Sequence, residues 1–403
     1  MIGIIAGTLA GVALGTISGL FPGVHSNTLA ASLLGLQAFL LPVVGIEALV
    51  ATMVSALVTH TFLDSIPSTF LGVPDADTSL SVLPSHRMCL EGKGQEAVRV
   101  AALGSACAVI IAIPLSLLLF CILPPIQPFI DWWAGIILVA VMGYLIIRSD
   151  APGWALVTFG VSGLLGLFAF RYAFLGWHTL GDSGVLMPLL TGLFGISVLL
   201  VSARGRIPAQ RFEGISLSGD AIRRGTLMGT VAGTIVGWLP GLSNAAANAV
   251  LYPTQDYTRD KREYIFSVAA ANTANAIIGI AVLYAIGRER NGVMVAVSAI
   301  GPPDMVALMF AGVLAAGIAY PLTIWLSGYA NRLDGVDSRL MNYSAMAFVI
   351  ALSFILCGPF GLLILGLAIL VGIIPGLVNV SRVFCMGAVT FPVILFSFGF
   401  PGF

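Results

Sequence analysis

His60, Thr61 and Asp64 stand together in VTHTFLDSIPSTFLGVP, residues 58–74, a stretch that is otherwise mostly apolar. His60 and Asp64 are four residues apart, so a helix places them on one face, where they could pair. An ionisable pair in apolar surroundings is costly and by default functional. Its chemistry would be a proton relay, a sodium ligand or a contact to substrate, against a purely structural pair. Two Pro-Gly dipeptides, Pro22-Gly23 and Pro240-Gly241, are each followed by small polar residues: His25, Ser26 and Asn27 after the first, Ser243 and Asn244 after the second. A helix that restarts after such a break offers free N–H groups and a partial positive charge, which suits an anion. Alternatively these side chains only cap the new helix. A third set, Asn272, Thr273 and Asn275, lies in SVAAANTANA at 267–276. These neutral donors and acceptors suit a carboxylate or a dehydrated cation, or interhelical hydrogen bonds. Placing Ser267 under Ser55 aligns Asn272-Thr273 with His60-Thr61. No third ligand at metal spacing and no nucleophile–base set accompanies these residues, so neither a metal site nor an enzyme is expected.

The elements that must position them are set by composition. The chain has 403 residues, 58% hydrophobic and 9% charged, with mean hydropathy +1.03. Soluble domains carry roughly 25% charged residues. A soluble globular enzyme, a disordered tail and a nucleic-acid binder are excluded. Eighteen basic and eighteen acidic residues cancel, so no net field recruits a highly charged partner. The 47 glycines and 21 prolines fall within apolar runs, where they mark broken or closely packed membrane helices. The five cysteines form no CxxC pair and read as small packed hydrophobes with free thiols. The start, Met1-Ile2-Gly3-Ile4-Ile5, has no basic flank, so the first apolar segment is expected to be retained.

The chain also repeats itself. Residues 7–31 lie over 225–249 at a constant offset of 218 with eleven identities in twenty-five positions. The matches keep four glycines at four-residue spacing (Gly7, Gly11, Gly15, Gly19 over Gly225, Gly229, Gly233, Gly237) and then the Pro-Gly break. Each copy reads as about sixteen apolar residues, a break and a second apolar run. That is short of the roughly 20 residues a span requires, so a re-entrant hairpin turning near mid-membrane is expected. No Lys or Arg precedes Arg87, whereas Arg204, Arg206, Arg211, Arg223, Arg224, Arg259, Lys261 and Arg262 flank the second copy. By the positive-inside rule the two copies enter from opposite faces. The fold expected is an all-α polytopic membrane protein of two inverted repeats, 1–203 and 225–403, joined by a cytoplasmic Arg-rich linker, 204–224. Each repeat holds a hairpin and about five crossings, near 48–85, 97–124, 130–149, 152–174 and 183–203, then 264–287, 303–329, 341–357, 358–375 and 382–402. This places fifteen cations inside and leaves Arg171, Arg288 and Arg290 outside; the 288–290 run reads as a charged turn, without a ligand role.

Inverted repeats with helices broken near the midplane are the signature of secondary transporters. The expected site gathers Pro22, Gly23, His25, Ser26, Asn27, Pro240, Gly241, Ser243, Asn244, Asn272, Thr273 and Asn275 around substrate. His60, Thr61 and Asp64 would couple transport to a proton or sodium ion, with no other cofactor.

These residues resemble the TctA family, the large membrane subunit of tripartite tricarboxylate transporters, and more closely its shorter archaeal members. The resemblance is carried by the break from Gly15 to Gly23, the stretch Arg87-Met88-Cys89-Leu90-Glu91-Gly92-Lys93-Gly94-Gln95-Glu96-Ala97, Leu239-Pro240-Gly241, and Ala270-Ala271-Asn272-Thr273-Ala274. It runs from residue 3 to about 305, and the Gly-Lys-Gly-Gln turn is its most specific part. It implies cation-coupled uptake of a small carboxylate across the cell membrane, with a small membrane subunit and an extracytoplasmic binding protein as partners and no nucleic acid. The alternative is a polyprenyl-phosphate or related lipid-phosphate translocase, since those proteins also use inverted hairpins like Phe21-Pro22-Gly23-Val24-His25-Ser26-Asn27.

Overall fold

A computed structural model describes the chain except residues 22–23, 25, 73–81, 178–184, 202–207, 240–246, 248–260, 302, 334–337 and 401–403. The described residues are mostly helical, without a strand: α1 (Ile2–Leu20), α2 (Ser26–Gly35), α3 (Gln37–Leu63), α4 (Ser65–Leu71), α5 (Val82–Leu90), α6 (Gly94–Ile147), α7 (Pro152–Arg171), α8 (Leu186–Ile196), α9 (Ser197–Val201), α10 (Gly219–Trp238), α11 (Lys261–Ile286), α12 (Gly292–Ile300), α13 (Met305–Ser327), α14 (Ser338–Val378) and α15 (Gly387–Ser397). Seven of the described helices are long and apolar enough to cross a bilayer. The chain is a polytopic membrane protein.

The glycine ladders explain how its centre is built. α1 lies along α3 so closely that a Cβ at Gly7 would sit 2.2 Å from the Ala48 carbonyl oxygen, at Gly11 2.4 Å from that of Thr52, and at Gly15 2.6 Å from that of Ala56. α10 lies on α11 in the same way: a Cβ at Gly229 would sit 2.5 Å from the Ser267 oxygen and at Gly233 2.3 Å from the Ala271 oxygen. Only a glycine face lets two backbones approach so far. The partners met by equivalent glycines, Thr52 and Ser267, Ala56 and Ala271, Leu63 and Ile278, differ by a constant 215 residues. Two left-handed glycines at that offset, Gly72 and Gly287, both at φ 65, follow α4, which continues α3, and α11. The expected register, with Ser267 under Ser55, is therefore corrected by three residues: Ser267 answers Thr52, and Asn275 rather than Asn272 answers His60. Between these pairs lies a core of α3, the first half of α6, α11 and α13.

Three expected segments change. The first arm is 19 residues, about 28 Å, because Ile2 to Ala6 continue the helix; only the returning α2, 10 residues or about 15 Å, is half a membrane long. The crossing expected at 48–85 ends at Leu71, with non-helical Gly45 inside α3 and α4 continuing α3 through Asp64, whose backbone stays right-handed helical. The crossings expected at 97–124 and 130–149 form one helix, α6, whose 54 residues would span about 81 Å if straight. Pro114, Pro124, Pro125 and Pro128 interrupt its hydrogen bonding without ending it. In α14, by contrast, non-helical Gly358 (φ 64, ψ −157) falls where the crossings 341–357 and 358–375 were expected to meet.

Candidate functional site

Asp64 sits where α3 gives way to α4 and is 5% exposed. Its backbone continues the turn, its N–H bonding the His60 carbonyl at 2.9 Å and its carbonyl accepting from Ser68 Oγ at 2.8 Å. Its carboxylate reaches across to the other half of the chain, where Asn272 Nδ2 donates to Oδ2 at 3.0 Å. One turn earlier, Thr61 Oγ1 and Thr273 Oγ1 lie 2.9 Å apart. Thr61 gives its proton to the Val58 carbonyl at 2.8 Å, so Thr273 is the donor between the two hydroxyls. His60, also 5% exposed, turns to α1, with Nδ1 3.1 Å from Ser18 Oγ. Ser18 donates to the Gly15 carbonyl at 3.2 Å, which leaves its oxygen to accept from His60 Nδ1–H.

The two sequence motifs thus meet: Thr61 and Asp64 of α3 bond Thr273 and Asn272 of α11. Asn275 is placed elsewhere, its Oδ1 3.3 Å from where a Cβ at Gly237 would lie, facing α10 much as His60 faces α1. Ser18 is an addition that sequence reasoning missed, because the second copy has Val236 at its position. Of the residues expected at the breaks, Ser26 is buried and Asn27 half-buried at the start of α2. Pro22, Gly23, His25, Pro240, Gly241, Ser243 and Asn244 lie outside the described residues.

A second polar cluster surrounds the end of α10. Arg290 donates through Nε (3.1 Å) and Nη2 (2.5 Å) to the Val236 carbonyl. Trp238 Nε1 donates to Gln127 Oε1 at 2.8 Å, Gln127 Nε2 donates to Asp131 at 2.7 Å, and Arg288 pairs with Asp131. A third cluster clasps the α5–α6 turn. Arg262 grips Glu96 through two bonds, at 2.6 and 2.9 Å, Arg224 grips Glu263 at 3.2 and 3.1 Å, and Lys261 meets Glu91 at 2.5 Å. Residues 208–216 cross the Gly-Lys-Gly-Gln turn here: Gly94 N–H donates to Gln210 Oε1 (2.8 Å), Gln210 Nε2 to the Cys89 carbonyl (3.1 Å), and Arg211 N–H to the Gly92 carbonyl (2.8 Å). Left-handed Gly92 (φ 79) leaves room for the Ala209 oxygen, 3.0 Å from where a Cβ would be.

A bundle of membrane helices enclosing a carboxylate hydrogen-bonded between its two halves belongs to the multi-pass membrane proteins, not to the soluble catalysts. More narrowly, the chain belongs to the tripartite tricarboxylate transporter TctA family, whose model matches residues 5–387 and so extends past the sequence resemblance into the C-terminal helices. The family is one of transporters, not of enzymes, and works with other components of a tripartite system. It is 28% identical over 329 residues to an uncharacterized protein of the archaeon Methanocaldococcus jannaschii, covering 80% of this chain and 79% of that one. No solved structure matches it.

Proposed function

We propose that this chain is a cell-membrane permease that carries a small carboxylate anion by cation-coupled alternating access. The observation that carries the reading is the Asp64–Asn272 hydrogen bond: an ionisable group buried between the two halves of the chain. Burying such a charge costs several kcal/mol unless it is paired, protonated or ion-bound, and a group kept at that cost is by default functional. His60, Thr61 and Asp64 serve the coupling proton or sodium ion. The anion binds at the two helix breaks, Pro22-Gly23 with His25, Ser26 and Asn27, and Pro240-Gly241 with Ser243 and Asn244, alongside Asn272, Thr273 and Asn275. A small membrane subunit and an extracytoplasmic binding protein are its partners. Family membership supports a carboxylate over the lipid-phosphate alternative, which no contact among the described residues favours.

The repeats 1–203 and 225–403 are read as inverted. This is supported by how the partner helices of the two ladders meet. Thr61 meets Thr273 and, three residues on, Asp64 meets Asn272, while earlier on α3 Val58 and later on α11 Ile277 both pack at Gly312, so residue numbers rise on one helix as they fall on the other. Two duplicated elements running head to tail supply the two related conformations that alternating access needs.

Two measurements test this. The purified protein in liposomes is expected to accumulate radiolabelled citrate or succinate when a sodium or proton gradient is imposed, and to stop when the gradient is collapsed; uptake indifferent to both gradients would refute coupling. For topology, Ile2 and Asp220 are equivalent at the offset of 218 and both are exposed. In a Cys121→Ser background, Ile2→Cys and Asp220→Cys are expected to react with an impermeant maleimide from opposite faces. Cys89 contributes no background, since burial pushes its thiol up to about 12. Labelling of both positions from one face would rule out inversion.

A further inference from the structure

Each glycine-ladder pair carries a third helix, and in both cases it comes from the other half of the sequence. α6 of the first half lies on α11 of the second. A Cβ at Gly104 would sit 2.2 Å from the Phe266 carbonyl oxygen, and Ser105 Oγ donates to the Ala269 carbonyl at 3.3 Å. Ala97, Val100 and Ala101 pack with Ile265, Phe266 and Ala269 around this approach. α13 of the second half lies on α1 and α3 of the first. Ser55 Oγ donates to the Ala311 carbonyl at 3.4 Å, and Ala311 is buried with Ile4 and Ala51. The central helices thus sort into two trios, α1–α3–α13 and α6–α10–α11.

Ionic contacts tie the second trio further. Glu96 of α6 is gripped by Arg262 of α11, and Glu91, just before α6, by Lys261. Further along α6, Gln127 accepts from Trp238 of α10, and Asp131 pairs with Arg288, just after α11. Arg224 of α10 holds Glu263 of α11. Contacts between the trios are of another kind, made by side chains. Thr61 meets Thr273 and Asp64 meets Asn272, Arg99 Nε donates to Ser327 Oγ at 3.1 Å, and Ile277 Cδ1 lies 3.1 Å from where a Cβ at Gly312 would be. Backbones packed as closely as those inside a trio cannot slide or part without losing their close packing. Side-chain hydrogen bonds exchange partners at small net cost. A packed protein that must adopt two arrangements changes at surfaces of the second kind.

We propose that the two trios, rather than the two halves of the sequence, are the bodies that move against each other, and that the Thr61–Thr273 and Asp64–Asn272 bonds mark the surface that shifts. This rests on the permease reading above and assigns the motion that reading leaves open. It also gives ion occupancy a mechanical consequence. A proton or sodium ion on Asp64 acts on a bond between the moving bodies, not on the interior of either one.

The test is to bridge cysteine pairs with a bis-methanethiosulfonate reagent in proteoliposomes, in a Cys107→Ser, Cys121→Ser background. Radiolabelled citrate uptake is measured before bridging, after it and after reduction, and the bridged fraction is read by mass. Glu91→Cys with Lys261→Cys joins the two halves of the sequence inside one trio, at side chains that reach the surface. This bridge is expected to leave uptake unchanged. Arg99→Cys with Ser327→Cys joins α6 to α13, across the trios. Here uptake is expected to fall in proportion to the bridged fraction and to return on reduction. Were the halves of the sequence the moving bodies, the bridge between positions 91 and 261 would stop uptake, and that result overturns the proposal. Full uptake by protein bridged between positions 99 and 327 overturns it equally. No citrate uptake by the unmodified protein would sink the permease reading and this motion with it. Uptake by the unmodified protein together with either contrary bridging result sinks the motion alone.

Discussion

Asp64→Asn is expected to abolish gradient-driven accumulation while leaving the protein folded in the membrane. The two side chains have the same shape, and an amide oxygen accepts from Asn272 Nδ2 as a carboxylate oxygen does, so the 3.0 Å bond between the halves survives. The backbone bonds of Asp64 to His60 and Ser68 do not involve the side chain. What disappears is the ability to hold a proton or a sodium ion at a site 5% exposed. Each coupling cation falling through about 100 mV supplies about 2.3 kcal/mol, which is roughly fifty-fold in accumulation. The variant should therefore let citrate run to its own electrochemical equilibrium across the membrane and go no further. Exchange of internal for external citrate requires no net ion movement and should persist. Accumulation at the unmodified level in Asp64→Asn vesicles would remove this residue from coupling.

The polar cluster of α3 and α11 was legible in the sequence as residue types and faces, and illegible as register. His60 and Asp64 stood out because ionisable groups are rare in apolar runs, and Asn272-Thr273 because amides and hydroxyls cluster there. Which turn of α11 meets which turn of α3 was not readable. Sliding a helix by three or four residues returns nearly the same face, so a pattern of small and polar residues fits both registers. A single serine, Ser55 over Ser267, suggested an offset of 212; the backbone carbonyls under Gly11 and Gly229 set 215. Ser18 escaped notice because its partner, His60, is 42 residues away and its counterpart in the other copy is Val236. Arg290 reads as part of a charged turn because a charged run after a long apolar helix normally marks an exposed end; its contact with the Val236 carbonyl is a tertiary one that spacing cannot reveal. The gap expected between the crossings 97–124 and 130–149 holds Pro125 and Pro128, yet each proline removes only one hydrogen bond and a well-packed helix can absorb that.

The second large effect concerns the ladders. Gly11→Leu and its equivalent Gly229→Leu are each expected to abolish a monodisperse, transport-competent protein. A Cβ at Gly11 would lie 2.4 Å from the Thr52 carbonyl oxygen and 2.7 Å from Ser55 Cβ; at Gly229 it would lie 2.5 Å from the Ser267 oxygen and 2.6 Å from Ala270 Cβ. Two of these four obstacles are backbone atoms, which no rotamer change can move, so the helices themselves must separate. Even one added methylene in a close-packed interior costs about 1–3 kcal/mol, and a leucine adds four carbons. Separation also carries a functional consequence. Ser18 rides on α1 and reaches His60 only because Gly15 and Gly19 let α1 lie flat on α3, so a displaced ladder disconnects the proposed coupling site before the protein unfolds. Gly11→Ala, with one carbon, should therefore retain a folded population whose melting temperature falls by several degrees and whose gradient-driven uptake falls further than its folded fraction. Gly143→Ala and Gly366→Ala, where nothing lies within 4 Å of an added Cβ, should change neither quantity. Thermal unfolding followed by size-exclusion chromatography, paired with vesicle uptake, separates the outcomes. A Gly11→Leu protein as stable as the unmodified chain would mean that α1 does not need contact with the α3 backbone.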